Sequence, residues 1–398
     1  MATKAGVGMS RHHNPNVAGR EAAEQALKEA GVDRPDFVFM FASIGYDQPS
    51  LLRTVREATG GAPLSGCSVE GTIDGDDADE SHFSVLVTAV SSEELQWHNG
   101  LATGLSADSW DLGKRVAEDL LPHLSADTIG LFIFPDGLTY DIDNFFAGLE
   151  GDLPSDRFLP IWGGGAGNNL NLGKPTYQYC DDEVVSDGVS YALLSGEARP
   201  AWAISHSLIP IGGERIVTRS RGNVIYEIDG KPAIEVLKEY LPEDALTEDR
   251  DWLRYAISLA LSFRAPSYMK DEEYVVRGVP QLSLTDGSIT VQTEVKEGTS
   301  IWFSSRDKEK ITTGFDRMSA QIKEQLDGAQ PELVFQFECV TRGKLMFREQ
   351  EKQELLRRFR QSVGPDVPWV GFYTIGEIAP VEEHNGINRF ASIILALS

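Results

Sequence analysis

The sequence predicts an α/β protein: mixed β-sheets covered by helices, built from a repeated strand–helix–strand–helix–strand module and gathered into two tightly packed domains. Three observations point there. The same order of elements recurs three times along the chain. Each copy holds a short, continuous apolar run, the pattern of a buried strand. Each then passes into a segment opened by proline and interrupted by glycine, where a backbone or a ligand can approach closely.

In the first copy a helix over 18–30 leads into Asp36–Ala42, a second helix over 51–59, the segment Pro63–Gly71 and a strand over 83–90. The second copy has a helix over 110–121, the run Thr128–Phe134, a helix over 144–149, the segment Pro160–Gly167 and a strand over 189–194. The third has a helix over 315–326, the run Leu333–Cys339, a helix over 350–363, the segment Pro368–Gly376 and a strand over 391–397. Between the second and third copies, 201–210 reads as a strand entering a different kind of region. A hairpin over 215–228 follows, then a helix over 231–241 bounded by Pro232 and Pro242. Strands over 274–279, 281–284 and 289–295 come next, with a turn at Asp286-Gly287. The third copy is expected to begin near Ile301. This divides the chain into residues 1–200, with two copies, and 201–398, with the insertion and the third copy.

A chain of 398 residues is long enough for two cores. Its 61 acidic against 36 basic residues leave a formal net charge of −25, which speaks against nucleic acid and anionic membrane surfaces as partners. Cys67, Cys180 and Cys339 are too few and too scattered for a disulfide framework or a zinc site. With no apolar signal core and no long apolar run, a cytoplasmic, reduced protein is expected. The acidic stretch Asp74–Glu80 does not fit a calcium loop and reads as a solvated hairpin.

Candidate chemistry is sparse. Gly66-Cys67-Ser68-Val69-Glu70-Gly71 is one residue too long for a nucleophile elbow, and no histidine lies near Cys67 in sequence. Gly163–Asn169 lacks the Lys-Ser/Thr of a phosphate loop, so backbone amides and the side chains of Asn168 and Asn169 suit a small polar ligand better. His206 lies in an alternating strand, whereas His12 and His13 sit in a polar loop. Arg342, at the carboxyl end of the third apolar run, stands where open α/β sheets collect ligands. It can grip a ligand carboxylate or pair internally with Glu338 or Glu377.

Three blocks, Ile225–Ala233 (IYEIDGKPA), Cys339–Gly343 (CVTRG) and Gly371–Pro380 (GFYTIGEIAP), follow the order of the C-terminal part of FIST (F-box and intracellular signal transduction) proteins. Gly66–Gly71 and Gly163–Asn169 resemble the N-terminal part of that family. The resemblance covers nearly the whole chain. It implies a sensory domain that binds a small molecule such as an amino acid, with relatives fused to or encoded beside histidine kinases, cyclic-dinucleotide enzymes and chemotaxis receptors. Some relatives are associated with haem and nitric oxide.

The primary expectation is a stand-alone sensor that signals through a separate partner, such as a histidine kinase or a cyclic-dinucleotide enzyme, because the third copy runs to Ser398. Its pocket is expected from Gly66, Cys67, Ser68, Gly164, Asn168, Cys339, Arg342, Tyr373 and Glu377. Arg342 would take the carboxylate of an amino-acid-like ligand and Glu377 its ammonium. One alternative is a haem-based gas sensor with His206 as axial ligand, an apolar wall of Trp202, Trp369 and Phe372, and Arg215, Arg219 and Arg221 for the propionates. Another is a hydrolase or transferase using Cys67 or Cys339.

Overall fold

The computed structural model describes residues 3–138, 142–154, 157–171, 173–265, 267 and 274–398. It divides into a larger unit of Met1–Ser205, Thr312–Ile387 and Ala391–Ser398, and a smaller unit of His206–Ile311 with Asn388–Phe390. The three copies all belong to the larger unit.

The first repeat opens with β1 (Lys4–Ser10), which its sequence pattern does not announce. Then come α1 (Pro15–Ala30), β2 (Phe37–Ala42), α2 (Gln48–Ala58) and β3 (Leu64–Ser68). Asn14 caps α1 by accepting from the N–H groups of Asn16 and Val17, and Gly31 ends it in the left-handed region. The expected single glycine-rich strand is broken after Ser68. It resumes as β4 (Gly71–Asp74), which forms a hairpin with β5 (Asp77–Asp79), and β6 (Val85–Ser91) completes the repeat.

The second repeat has the same order: β7 (Leu95–Thr103), α3 (Ser109–Leu120), β8 (Thr128–Pro135), α4 (Ile142–Asp152) and β9 (Ile161–Gly164). The hairpin of β10 (Gln178–Cys180) and β11 (Glu183–Val185) and then β12 (Gly188–Gly196) follow. The third repeat is split. Its leading strand β13 (Pro200–His206), read from sequence as the entry to a different region, joins the third repeat's own sheet.

The smaller unit is one nine-stranded sheet. Its strands are β14 (Leu208–Pro210), β15 (Arg215–Arg221), β16 (Val224–Ile228), β17 (Lys231–Pro232), β18 (Leu259–Arg264), β19 (Tyr274–Arg277), β20 (Gln281–Ser283), β21 (Ser288–Thr290) and β22 (Ser300–Arg306). The helix expected from Lys231 is shorter, α5 (Ala233–Lys238), because Lys231 and Pro232 pair with Ile228 and Glu227. Ser300–Arg306 runs at the middle of this sheet and does not begin the third copy. Val217, Ile225, Leu237, Trp252, Leu261 and Phe303 anchor the core.

The third repeat then resumes with α6 (Lys308–Leu326), β23 (Leu333–Cys339), α7 (Glu349–Val363), β24 (Trp369–Thr374), β25 (Glu377–Ile378), β26 (Ile387–Asn388) and β27 (Ala391–Leu397).

The larger unit thus contains three six-stranded sheets, each with the same parallel pair at its centre. The register is equivalent in all three: Met40 faces Gly66, Ile133 faces Gly163, and Gln336 faces Gly371. A Cβ on Gly66 or Gly163 would fall 1.9 Å from the carbonyl oxygen of its partner, and one on Gly371 would fall 2.8 Å from it. The repeated glycines therefore let neighbouring strands approach.

Beyond each glycine the chain changes sheet. β4 pairs with β24, β25 with β9, and β10 with β3, so each repeat lends a strand to another in a closed cycle. Alternation then sorts the apolar runs. Phe37, Phe39 and Phe41 point to a core shared with Phe132, Phe134, Phe335, Phe337 and Phe372, while Val38, Met40 and Ala42 lie under α1 and α2. Phe39 contacts rings from the other two repeats, with centroids 5.4 Å from Phe132 and 5.2 Å from Phe335.

Phe39→Ala is expected to cost roughly 3–5 kcal/mol of stability in urea denaturation, as large-to-small changes in packed cores do. Ile209→Ser, at an exposed position, should shift it by less than about 0.5 kcal/mol. Equal, small effects would mean that the three sheets do not share one core.

Candidate functional site

The three glycine-rich segments meet by bonding to one another. Gly167 N–H donates to the Ser68 carbonyl at 2.8 Å, Gly165 N–H to that of Gly376 at 2.8 Å, and Glu70 N–H to that of Tyr373 at 3.0 Å. The hydroxyl of Ser68 donates to the Gly167 carbonyl at 2.6 Å and accepts from Tyr177 N–H at 2.8 Å. Asn168 is buried, with its N–H on Glu70 Oε1 at 2.7 Å and its amide on the carbonyls of Asn171 and Lys174. A Cβ on Gly164 would meet Thr374 Cγ2 at 2.6 Å. Gly66, Cys67, Ser68, Gly164 and Asn168 are thus held by protein neighbours.

Glu377 is likewise engaged. Its Oε1 accepts from the Thr374 hydroxyl at 2.8 Å and its Oε2 from Ala391 N–H at 2.9 Å. Arg342 pairs with Glu338: its Nε lies 3.1 Å from Glu338 Oε1, and its Nη1 donates to the Ser205 carbonyl at 2.7 Å. The buried Lys352, on the first turns of α7, reaches the same Oε1 at 2.7 Å, and Gln336 Nε2 donates to Oε2 at 2.8 Å. One buried carboxylate therefore serves two buried basic groups. Burial lowers the Lys352 pKa and Arg342 adds to that, while Glu338 opposes them.

Above this cluster, at the carboxyl ends of β23 and β24, lies a cavity of about 580 Å³. Open α/β sheets place ligands at this end. Tyr373, Lys352 and Phe347 line it from the third repeat; Asp77, Asp79 and Glu80 line it from the β4–β5 hairpin of the first. Arg11, also in the lining, is bound to Asp77 at 2.6 Å and to Asp79. Tyr373 is fully buried, and its hydroxyl has no hydrogen-bond partner among the described residues. Burial raises its pKa well above the ordinary value, so the hydroxyl stays neutral and can donate. Of the nine residues expected from sequence, the cavity wall includes Tyr373. Arg342 stands behind it through Glu338.

Asp77, Asp79, Glu80 and Lys352 escape a motif reading, yet the repeats themselves carry a signal. In the equivalent registers, Gln336 stands where the other repeats have Met40 and Ile133, and Glu338 where they have Ala42 and Pro135. Polar residues in one of three otherwise apolar runs mark the repeat that has diverged. The acidic stretch read as a solvated hairpin is partly buried from Asp77 to Glu80.

The cysteines are all buried. Burial pushes the Cys67 thiol well above its ordinary pKa and Cys180 up to about 12, which opposes thiolate formation. The Cys339 sulfur accepts from the Thr341 hydroxyl at 3.1 Å. Several of the side chains offered for a haem are packed or paired within the protein. Trp202 packs on Trp162, Phe372 on Phe41 and Trp369 on Phe359, while Arg215 pairs with Asp229 and Glu239, and Arg219 with Glu227. His206 is 3% exposed. No metal-holding group of three His, Cys, Asp or Glu occurs among the described residues. No helix among them is long and apolar enough to cross a membrane.

The family model of the FIST N domain matches residues 36–231, and that of the FIST C domain matches residues 233–380. The chain belongs to the FIST family. FIST domains are sensory domains of signal transduction. The FIST C match begins in the smaller unit and ends in the larger one. Its CVTRG and GFYTIGEIAP blocks supply Arg342, Tyr373 and Glu377. An uncharacterized protein of Mycobacterium tuberculosis is 25% identical over 402 residues, covering 97% of each chain. One of Methanocaldococcus jannaschii is 26% identical over 375 residues, covering 87% of this chain and 68% of its own. Among solved structures, a chorismatase matches with a TM-score of 0.38 and 12% identity, over 100% of this chain and 99% of its own. A cyanuric acid hydrolase from A. caulinodans gives 0.35 and 9%, over the same shares.

Two measurements follow from the burial pattern. Burial lifts the Glu70 carboxyl from 4.5 to about 7, against the favourable N–H of Asn168. A carboxyl whose folded pKa is raised stabilises the fold fully below its unfolded pKa, and that contribution is lost as pH rises through the folded value. For Glu70 the window runs from 4.5 to about 7, and the full loss is on the order of 3 kcal/mol. The urea midpoint should fall between about pH 5 and about pH 8, and Glu70→Gln should remove part of that fall. Superimposable pH profiles would show that Glu70 ionises as readily folded as unfolded. Separately, iodoacetamide should label Cys67 in the native protein at least about 100-fold more slowly than in urea. Fast native labelling would restore a cysteine mechanism.

Proposed function

We propose that this FIST protein senses a small, amino-acid-like zwitterion held in the cavity at the ends of β23 and β24, and that it signals through a separate partner protein. The observation that carries this reading is the fully buried Tyr373 hydroxyl in the cavity wall, with no hydrogen-bond partner among the described residues. A buried polar group without a partner costs free energy unless a ligand completes it. Lys352 lies beside it, 5.6 Å from the Tyr373 ring centre. Together they offer O–H and N–H donors, which suits a carboxylate. Glu349, also in the lining, suits an ammonium group, whereas Asp77 and Asp79 are already held by Arg11.

In this reading the ligand contacts differ from the pair first expected. Glu377 is engaged by Thr374 and Ala391, and Arg342 stands behind the cavity through Glu338. The role expected of Arg342 passes to Lys352, and the role expected of Glu377 passes to Glu349.

The test is a thermal-shift screen with the twenty L-amino acids at millimolar concentration. A ligand at 100 times its Kd should stabilise by about 2.7 kcal/mol. Tyr373→Phe should abolish that shift while leaving the unliganded protein as stable or more so, because it removes a buried hydroxyl with no partner. Absence of any shift in the wild type, or an undiminished shift in Tyr373→Phe, would remove this reading.

A further inference from the structure

Glu80 follows the acidic hairpin, and its two carboxyl oxygens stand in different surroundings. Oε1 accepts the backbone N–H of Lys344 at 2.6 Å, and the Glu80 carbonyl accepts from Lys344 Nζ at 2.6 Å. Oε2 is buried and has no hydrogen-bond partner among the described residues. Gly343 makes this possible, since a Cβ there would fall 2.3 Å from Oε1. The carboxyl is therefore pinned in the cavity wall, beside Tyr373 and Lys352, which line the same cavity.

The groups facing Glu80 pull in both directions. Lys344 and Lys352 favour its anion, while Glu338 and Glu70 oppose it. Tyr373 stays neutral. Lys352 is bonded to Glu338, and burial outweighs the remaining attraction, so the carboxyl holds its proton up to about pH 7. With Oε1 occupied as an acceptor, that proton resides on Oε2. The wall then presents three donors together: the Tyr373 hydroxyl, the Lys352 N–H and the Glu80 acid.

Resting on the ligand reading above, we infer that Glu80 serves the cavity as a carboxylic acid whose Oε2–H donates to a ligand carboxylate also held by Tyr373 and Lys352. The cavity thereby selects carboxylates, and above neutrality each ligand enters with one proton from solvent. Above neutrality the Glu80 Oε2–H bond forms with a proton given up by water or buffer, and no other covalent bond is made or broken. A ligand carboxylate beside Glu80 disfavours a second anion, so the bound state keeps the proton to higher pH than the empty one. Proton uptake and affinity are then linked: affinity is level below about pH 7 and falls roughly tenfold per pH unit above it.

The test uses those L-amino acids that raise the melting temperature in the screen, titrated calorimetrically into the full chain at about pH 6 and about pH 8 in buffers of different ionisation enthalpy. The wild type should take up close to one proton per amino acid bound at the higher pH and much less at the lower. Glu80→Gln offers an amide N–H in place of the acid proton, so it should still bind, take up none, and hold its affinity level across the range. Glu80→Ala should bind at least about tenfold more weakly at the lower pH. Binding by the wild type without proton uptake, or the same uptake in Glu80→Gln, overturns the role of Glu80 and leaves the ligand reading standing. If no amino acid binds either protein, the ligand reading falls and this inference falls with it.

Discussion

The cyclic exchange of strands among the three repeats is the constraint on which the larger unit depends. β3, β9 and β24 would each present an unpaired edge beside a glycine if their own repeats stood alone, and exposed edges invite mispairing. β10, β25 and β4, each lent by another repeat, pair with these strands. The same arrangement closes the shared core. Phe39, Phe132 and Phe335 lie on faces opposite the covering helices and come within ring contact of one another. A single repeat could bury one face of its sheet under its helices, but its phenylalanine face needs the other two.

The exchange also decides where chemistry can collect. It carries the β4–β5 hairpin of the first repeat across to the carboxyl ends of β23 and β24, so the acids of one repeat meet the cations of another. In the first two repeats the positions matching Gln336 and Glu338 are apolar. In the third they form a polar network that runs from Trp369 Nε1 through Gln336 and Glu338 to Lys352 and Arg342. Threefold architecture thus supplies three equivalent strand ends, and side-chain divergence makes one of them polar.

Buried charges of this kind are costly unless each finds partners. Glu338 satisfies that condition with three donors, whereas Arg342 Nη2, the Tyr373 hydroxyl and Glu80 Oε2 have no hydrogen-bond partner among the described residues. An apolar set like that of the first two repeats would avoid that cost. Two of these atoms, the Tyr373 hydroxyl and Glu80 Oε2, belong to residues that line the cavity, and they are the physical argument for the proposed ligand.

The repeated elements are legible in the chain's own pattern. Phe37–Ala42, Thr128–Pro135, Leu333–Cys339 and Ala391–Leu397 stand where continuous apolar runs placed strands, because a strand buried on both faces leaves a local signature. The leading strands lack that signature for different reasons: β1 is buried but built of small residues, with Gly6 and Gly8 set against α1, and β7 is only partly buried at a sheet edge. The blocks around Arg342 and Tyr373 pointed to the family from sequence alone. Tertiary structure decided which strand each glycine approaches, that each glycine-rich segment changes sheet, and that β13 belongs with a repeat resuming a hundred residues later. It also decided the site. Whether Glu377 or Glu338 meets Arg342, and whether an acidic hairpin lies in water or against a lysine, depends on contacts between residues far apart in the chain. Local periodicity carries no information about those.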